Sequence, residues 1–221
     1  MGIGKNELHS IIDHTDLRPD ATSGDIVRLC GEAVRYGFAT VCVNSCWTAL
    51  ATMTLDGLGI GVTTVVGFPL GAMTTATKVT ETKGAVADGA TEIDMVINVG
   101  QLRGGSDRFV EQDVAAVVKA AGEAPVKAIL ECCLLTDGEI VRACEAAMRG
   151  GAAFVKTSTG FSSGGATEHD VRLMRKTVGD ACKVKAAGGI HTAEEALAMV
   201  DAGADRIGTS SGIAIVEGIR R

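Results

Sequence analysis

The chain has 221 residues, 46% apolar and 22% charged, which fits one globular domain and excludes disordered, collagenous and low-complexity classes. Aromatic residues are sparse (one Trp, one Tyr and five Phe), so the core is aliphatic, and the base-stacking platforms of nucleic-acid binders lack their usual residues. With 21 basic against 27 acidic residues the net charge is −6, leaving no basic field to recruit nucleic acid or anionic lipid.

In chain order, the first strand is expected at His9–His14 and the first helix at Ser23–Tyr36. Four segments then open with Gly and run into β-branched apolar residues: Gly37–Cys42, Gly89–Asp94, Gly151–Lys156 and Gly203–Gly208, with intervals of 52, 62 and 52 residues. Each Gly follows a helical pattern, as a C-terminal helix stop does, and each run reads as a buried strand of a parallel sheet. Strand-like runs at Gly61–Val66, Val126–Leu130 and Cys182–Ala186 bring the total to eight. The helical patterns between them cover Cys46–Leu55, Thr75–Asp88, Ser106–Ala121, Thr136–Arg149, Thr167–Val178 and Thr192–Ala202, with a short helix after Ser211. Thr136 with Glu139, and Thr192 with Glu195, have capping-box spacing. Eight alternating β and α units predict a single (β/α)₈ barrel over residues 1–221. An open doubly wound sheet is disfavoured, because no GxGxxG opens the first helix.

Seven cysteines are scattered along the chain, with Cys132 and Cys133 adjacent, and neither CxxC nor zinc-finger spacing with His occurs. No cationic-then-apolar leader opens the sequence, so a reducing cytoplasm is expected. Residues 36–55 and 57–77 are uncharged, but Asn44 and Ser45 interrupt the first and Gly67-Phe68-Pro69 breaks the second, so no membrane span is expected. The Met1-Gly2 opening departs from the myristoylation pattern at Asn6.

A barrel gathers its chemistry at the C-terminal ends of its strands, and alternate strands supply side chains to one layer. The equivalent positions of strands 2, 4, 6 and 8 are Cys42, Asp94, Lys156 and Gly208. Lys185 on strand 7 and Lys127 on strand 5 can also point inward. Charged side chains inside apolar strands are costly to bury unless paired, so a purely structural set of ion pairs competes with a catalytic reading. A lysine that attacks a carbonyl must be neutral, and burial beside a second ammonium lowers its pKa. Lys156 next to Lys185 fits that requirement, and Asp94 can shuttle protons. The loops Lys185-Ala-Ala-Gly188-Gly189-Ile190 and Gly208-Thr-Ser210-Ser211-Gly212 lie where barrels commonly bind phosphate, with glycines that let backbone N–H groups approach an anion.

Lys156-Thr157-Ser158-Thr159-Gly160-Phe161 resembles the deoxyribose-phosphate aldolase family, together with Glu92–Asn98, Lys185–Ile190, Ile12–Thr15, Val65–Gly71 and Glu81–Lys83. The resemblance implies a class I aldolase on a barrel that joins acetaldehyde and D-glyceraldehyde 3-phosphate into 2-deoxy-D-ribose 5-phosphate, with no cofactor and no metal. It implies Lys156 as the Schiff-base lysine, Lys185 as the lysine that perturbs it and Asp94 as the proton-relay acid. Asp13, Thr15, Cys42, Lys127, Thr157 and Gly208 are implied pocket residues. Gly160, Gly188, Gly189, Ser210 and Ser211 are implied around the phosphate, and a homodimer is the implied assembly. Phe161 departs from members that carry Lys there, and Cys132 stands where Thr is common after the glutamate. The cysteine pair reads as packing.

Two other readings stay open on the residues alone. A sugar-phosphate isomerase or epimerase would use Asp94 as base and Lys156 as an electrostatic clamp. A non-catalytic phosphometabolite-binding protein would use the lysines only as counter-ions. Gly160-Phe-Ser162-Ser-Gly164 matches a GxSxG elbow, but the helix is expected only from Thr167, too late for that turn. The four histidines lack HExxH spacing, which disfavours a metal-dependent aldolase.

Overall fold

The computed structural model describes residues 5–219; the Met1-Gly2 opening lies outside the described residues. Eight parallel strands pair in sequence order and close on themselves: β1 (Ile12–Asp16), β2 (Thr40–Val43), β3 (Gly61–Val66), β4 (Glu92–Val96), β5 (Val126–Ile129), β6 (Phe154–Lys156), β7 (Lys183–Ala187) and β8 (Arg206–Thr209). The seam is β1 on β8, with Asp13 opposite Gly208. Around the barrel run α1 (Ser23–Tyr36), α2 (Thr48–Leu55), α3 (Thr75–Ala87), α4 (Val99–Arg103), α5 (Asp107–Ala121), α6 (Asp137–Arg149), α7 (Glu168–Val178), α8 (Ala193–Asp201) and α9 (Gly212–Ile219). This is a (β/α)₈ barrel.

The helix starts follow their caps. Thr136 accepts from the Glu139 amide while the Glu139 carboxylate accepts from the Thr136 amide, and Thr192 and Glu195 do the same. Thr22 and Asp25 form a third such box. The four repeat glycines, Gly37, Gly89, Gly151 and Gly203, all take positive φ, a conformation that ends a helix without a Cβ penalty. Each paired strand begins three residues after its glycine, because the chain first crosses from the helix layer to the sheet.

Two local differences from the sequence reading have simple causes. Residues 9–11 belong to a 3₁₀ segment, Lys5–Ile11, and β1 begins at Ile12. Leu8 and Ile12, four apart and both buried, give that short run a helical as well as a strand pattern. The one-turn helix α4 is additional, capped by Asn98 Oδ1 accepting from the Gln101 amide, and it contributes to the longer 62-residue interval of the repeat.

Outward strand residues such as Val41, Ile93, Met95, Val155, Val184 and Ile207 pack against buried helix stripes, for example Val110, Val114 and Val117 on α5. Each such side chain contributes about 1.5–3 kcal/mol on leaving water. Alternation by two then turns the other set of strand residues inward. The register places them in three layers. Thr40, Glu92, Phe154 and Arg206 form the lower layer from the even strands. Asp13, Thr63, Lys127 and Lys185 form the middle one from the odd strands. Cys42, Asp94, Lys156 and Gly208 form the upper one. Barrel interiors are ordinarily filled by branched aliphatic side chains. This one is filled by ions.

Candidate active site

Asp94 lies at the centre of the interior. Its Oδ1 accepts from Lys127 Nζ at 2.8 Å, and its Oδ2 accepts from both Lys156 Nζ at 2.8 Å and Lys185 Nζ at 2.7 Å. Lys185 also meets Asp13 Oδ2, and Lys127 reaches Glu92 Oε2 at 2.5 Å. Arg206 donates to Asp13 Oδ1 at 2.6 Å and to Glu92 Oε1 at 3.2 Å. Thr40 and Thr63 complete the polar floor, Thr40 donating to Asp13. Asp13, Asp94, Lys127 and Lys185 are completely buried, whereas Lys156 alone of the interior lysines lines the open cleft at the C-terminal end.

The electrostatics separate the two upper lysines. Burial is the largest influence on Lys156 and lowers its pKa; the Asp94 carboxylate opposes that shift and the Lys185 ammonium reinforces it. Lys185 is desolvated as well, but Asp13 and Asp94 together overcome burial and hold it firmly protonated. Burial alone would raise the carboxyl pKa of Asp94, yet Lys127, Lys156 and Lys185 keep it well below the usual range. The result is one amine disposed to be neutral at the cleft, fixed to a permanent carboxylate and flanked by a permanent ammonium. Such an amine can attack a carbonyl.

The loops above are tied strand to strand. Leu130 N donates to Lys156 O and Cys132 N to Thr157 O, while the Thr157 hydroxyl bridges to Ala187 of β7. Glu131 is the single non-glycine with positive φ among the described residues, and its buried carboxylate accepts from the Thr159 amide at 3.1 Å and from the Thr159 hydroxyl. Farther along, Ala166 N donates to Gly188 O, and Gly165 approaches Gly188 so closely that a Cβ would lie 2.2 Å from the Gly188 carbonyl oxygen. On the other side Thr209 Oγ1 donates to Ile190 O, and His191 Nδ1 meets Ser211 Oγ at 3.1 Å. These contacts shape a cleft of about 590 Å³.

Thr15, Lys156, Gly160, Gly188, Gly189, Gly208 and Ser210 line that cleft. Asp13, Asp94, Lys127 and Lys185 lie in the ion cluster beneath it. Cys42 packs with Leu17, Val65 and Phe68, and burial pushes its thiol pKa up. Thr157 is directed to the β7 backbone, and Ser211 sits behind Ser210 against His191. Gly208 makes room for Lys185: a Cβ there would come within 2.9 Å of Lys185 Cε. Phe161 is half exposed at the rim, edge-on to Phe68 with ring centroids 5.3 Å apart. Cys132 is buried near the Met174 sulfur, whereas Cys133 is exposed with its Cβ against Gly164. The Ser162 stretch runs into α7 only at Glu168, so it forms no elbow. Among the described residues no cluster of three His, Cys, Asp or Glu side chains is placed to hold a metal.

The sequence reading assigned no part to Arg206, Glu92 or Glu131. Arg206 and Glu92 fall within the repeat, and inward alternation two residues before Gly208 and Asp94 was their signal; Glu131 directly follows the fifth strand-like run, Val126–Leu130.

A closed barrel with a cleft-facing amine between a carboxylate and an ammonium defines a lysine-dependent carbonyl enzyme of the barrel aldolase class. The chain belongs to the DeoC/LacD family of aldolases, whose model matches residues 9–218. It is 58% identical over 215 residues to the deoxyribose-phosphate aldolase of Geobacillus sp. (strain WCH70), covering 97% of this chain and 96% of that one. It is 57% identical over 212 residues to that of Finegoldia magna, covering 96% of this chain and all of the relative. Among solved structures, the tetrameric deoxyribose phosphate aldolase of Aeropyrum pernix superposes with a TM-score of 0.92 at 34% identity, over 98% of this chain and 92% of that one.

Proposed function

We propose that the protein reversibly cleaves 2-deoxy-D-ribose 5-phosphate to D-glyceraldehyde 3-phosphate and acetaldehyde through an imine on Lys156. One observation carries this reading: the Lys156 amine faces the cleft while sharing Asp94 Oδ2 with the buried Lys185 ammonium. The neutral amine adds to the open-chain aldehyde, and the carbinolamine loses water to give a protonated imine. Loss of the C3 hydroxyl proton then drives cleavage of the C2–C3 bond, with the electron pair taken up by the iminium. Glyceraldehyde 3-phosphate leaves, the enamine is protonated at C2, and hydrolysis returns acetaldehyde and free Lys156. Asp94, a carboxylate in the resting enzyme, accepts hydrogen bonds from the nitrogen as its charge changes, and by way of water it takes up a proton and gives it back within the cycle.

Gly160, Gly188, Gly189, Ser210 and Ser211, at the mouth of the cleft and beside the start of α9, are assigned to the phosphate. Thr15, Cys42, Thr157 and Gly208 shape the pocket, and Asp13 and Lys127 support it from below. With Phe161 at the rim, backbone amides and hydroxyls carry most of that phosphate contact. A cytoplasmic location and a homodimer complete the reading; no helix among the described residues is long and apolar enough to cross a membrane, and one solved relative is itself an oligomer.

Borohydride reduction in the presence of acetaldehyde tests the reaction. One ethyl group is expected on Lys156 by peptide mass mapping. A protein left unmodified would favour an isomerase or a binding role, in which the lysine never forms a covalent bond.

A further inference from the structure

The interior ions form one connected set, and their count is unequal. Lys127, Lys156, Lys185 and Arg206 supply four potential cations, against the three carboxylates Asp13, Glu92 and Asp94. No other charge reaches this set from the strands. β2 contributes the Cys42 thiol, held neutral by burial, and β3 contributes the Thr63 hydroxyl. Lys183 on β7 sits over the Phe154 ring and is exposed, and Glu131 beyond β5 is occupied by Thr159. Across the cleft, Arg18 is paired with Asp16, Arg28 with Asp25 and His14 with Glu32, and His191 is bonded to Ser211. A surplus positive charge in a desolvated cavity is unfavourable, and the member that sheds a proton at least cost is the one with fewest carboxylate contacts. Lys156 has Asp94 alone, whereas Lys127, Lys185 and Arg206 each touch at least two carboxylates.

We propose that Arg206 and Glu92, in the lower layer and out of contact with the cleft, are positioning residues that set the charge state of Lys156 through this shared balance. Arg206 shares Asp13 with Lys185 and Glu92 with Lys127, so each of these carboxylates is only partly available to the lysine above it, while Glu92 in turn offsets one cation of the surplus. The proposal rests on the imine reaction given above. Lys156 and Arg206 both register with Lys185, one on each neighbouring strand, which puts their backbones roughly 10 Å from each other and sets the scale of the separation. At an effective dielectric near 20, unit charges at that distance shift one another's titration by about one pH unit.

The test is the acid limb of kcat/KM for cleavage of 2-deoxy-D-ribose 5-phosphate, followed in parallel by the pH dependence of borohydride trapping with acetaldehyde. Arg206→Met removes a cation and should move both limbs about one unit alkaline. Glu92→Gln removes an anion and should move them about as far acid. The double variant restores the original imbalance, with Asp13 still held by Lys185 and Thr40 and Lys127 by Asp94, so its limbs should return to the wild-type position; Arg206→Lys should not move them. Limbs that stay put in the single variants, or move in the same direction in both, would overturn the proposal. If Arg206→Met does not fold, Glu92→Gln and the double variant decide the matter alone. Absence of trapping at every pH in the wild-type protein would instead reject the imine reaction, so the two failures are distinct.

Discussion

Lys156 and Lys185 direct their nitrogens at the same atom, Asp94 Oδ2, at 2.8 and 2.7 Å. Two ammonium groups around one acceptor repel each other in a medium too dry to screen them, so the protons distribute unequally. Asp13 decides the direction. It binds Lys185 and not Lys156, and Lys185 therefore keeps its proton while Lys156 is released toward the neutral form.

Replacing Lys185 by Leu removes the neighbouring cation and leaves Asp94 to favour protonated Lys156. The acid limb of kcat/KM should move alkaline by about one pH unit or more. An unchanged pH–rate profile would remove Lys185 from this role.

Lys156→Arg keeps a positive charge beside Asp94 and cannot form an imine. Turnover should fall on the order of a thousandfold or more, with thermal unfolding little changed and borohydride labelling lost. Aldol cleavage surviving in this variant would refute the assignment of the nucleophile.

Asp13 sets part of the acid stability. Burial works to raise its pKa, but Lys185 first, then Lys127 and Arg206, bring it from 3.8 down to about 2. A carboxylate depressed in the folded state stabilises the fold above its unfolded pKa and loses that contribution as pH falls through the folded one. Acid unfolding should therefore steepen between about pH 4 and pH 2, with on the order of 2 kcal/mol lost. In Asp13→Asn this increment should be missing from urea midpoints measured across the same window, and an unaltered pH dependence would contradict the attribution.

Gly165 and Gly188 bring two backbones together, and alanine at 165 would place a Cβ 2.2 Å from the Gly188 carbonyl oxygen. Neither backbone can yield without moving the β7 loop. Gly165→Ala should lower stability by about 1–3 kcal/mol in denaturant titrations and raise KM for the phosphorylated sugar. A KM matching the wild type would mean this contact does not shape the phosphate end.

Glu131 fixes Thr159 by its amide and hydroxyl from a left-handed backbone position that ordinary residues avoid. Glu131→Gln should weaken that double bond and loosen the loop carrying Gly160 and Phe161. Because Lys156 itself hangs from β6, KM should rise by roughly tenfold, equivalent to about one lost charged hydrogen bond, while kcat stays close to normal. A fall in kcat with KM unchanged would place Glu131 in the chemistry instead.

Much of this molecule was legible before any coordinates. The spaced glycines marked helix ends that take positive φ, the capping boxes at Thr136 and Thr192 formed, and the repeat put Cys42, Asp94, Lys156 and Gly208 in one layer. These are local facts: periodicity, capping and helix termination depend on neighbours a few residues away. The short α4 and the true start of β1 were missed because runs of three to five residues carry too little pattern to separate helix from strand.

By itself the sequence determined a ring of strands and the residue types that face its interior, since alternation by two is enforced along each strand. Only the tertiary structure decided which cation meets which anion, pairing Asp13 with Arg206 across 193 positions and Asp94 with Lys185 across 91. Closing the barrel brings these charges into a space from which water is excluded, where partners a few ångströms apart govern protonation whatever their distance along the chain.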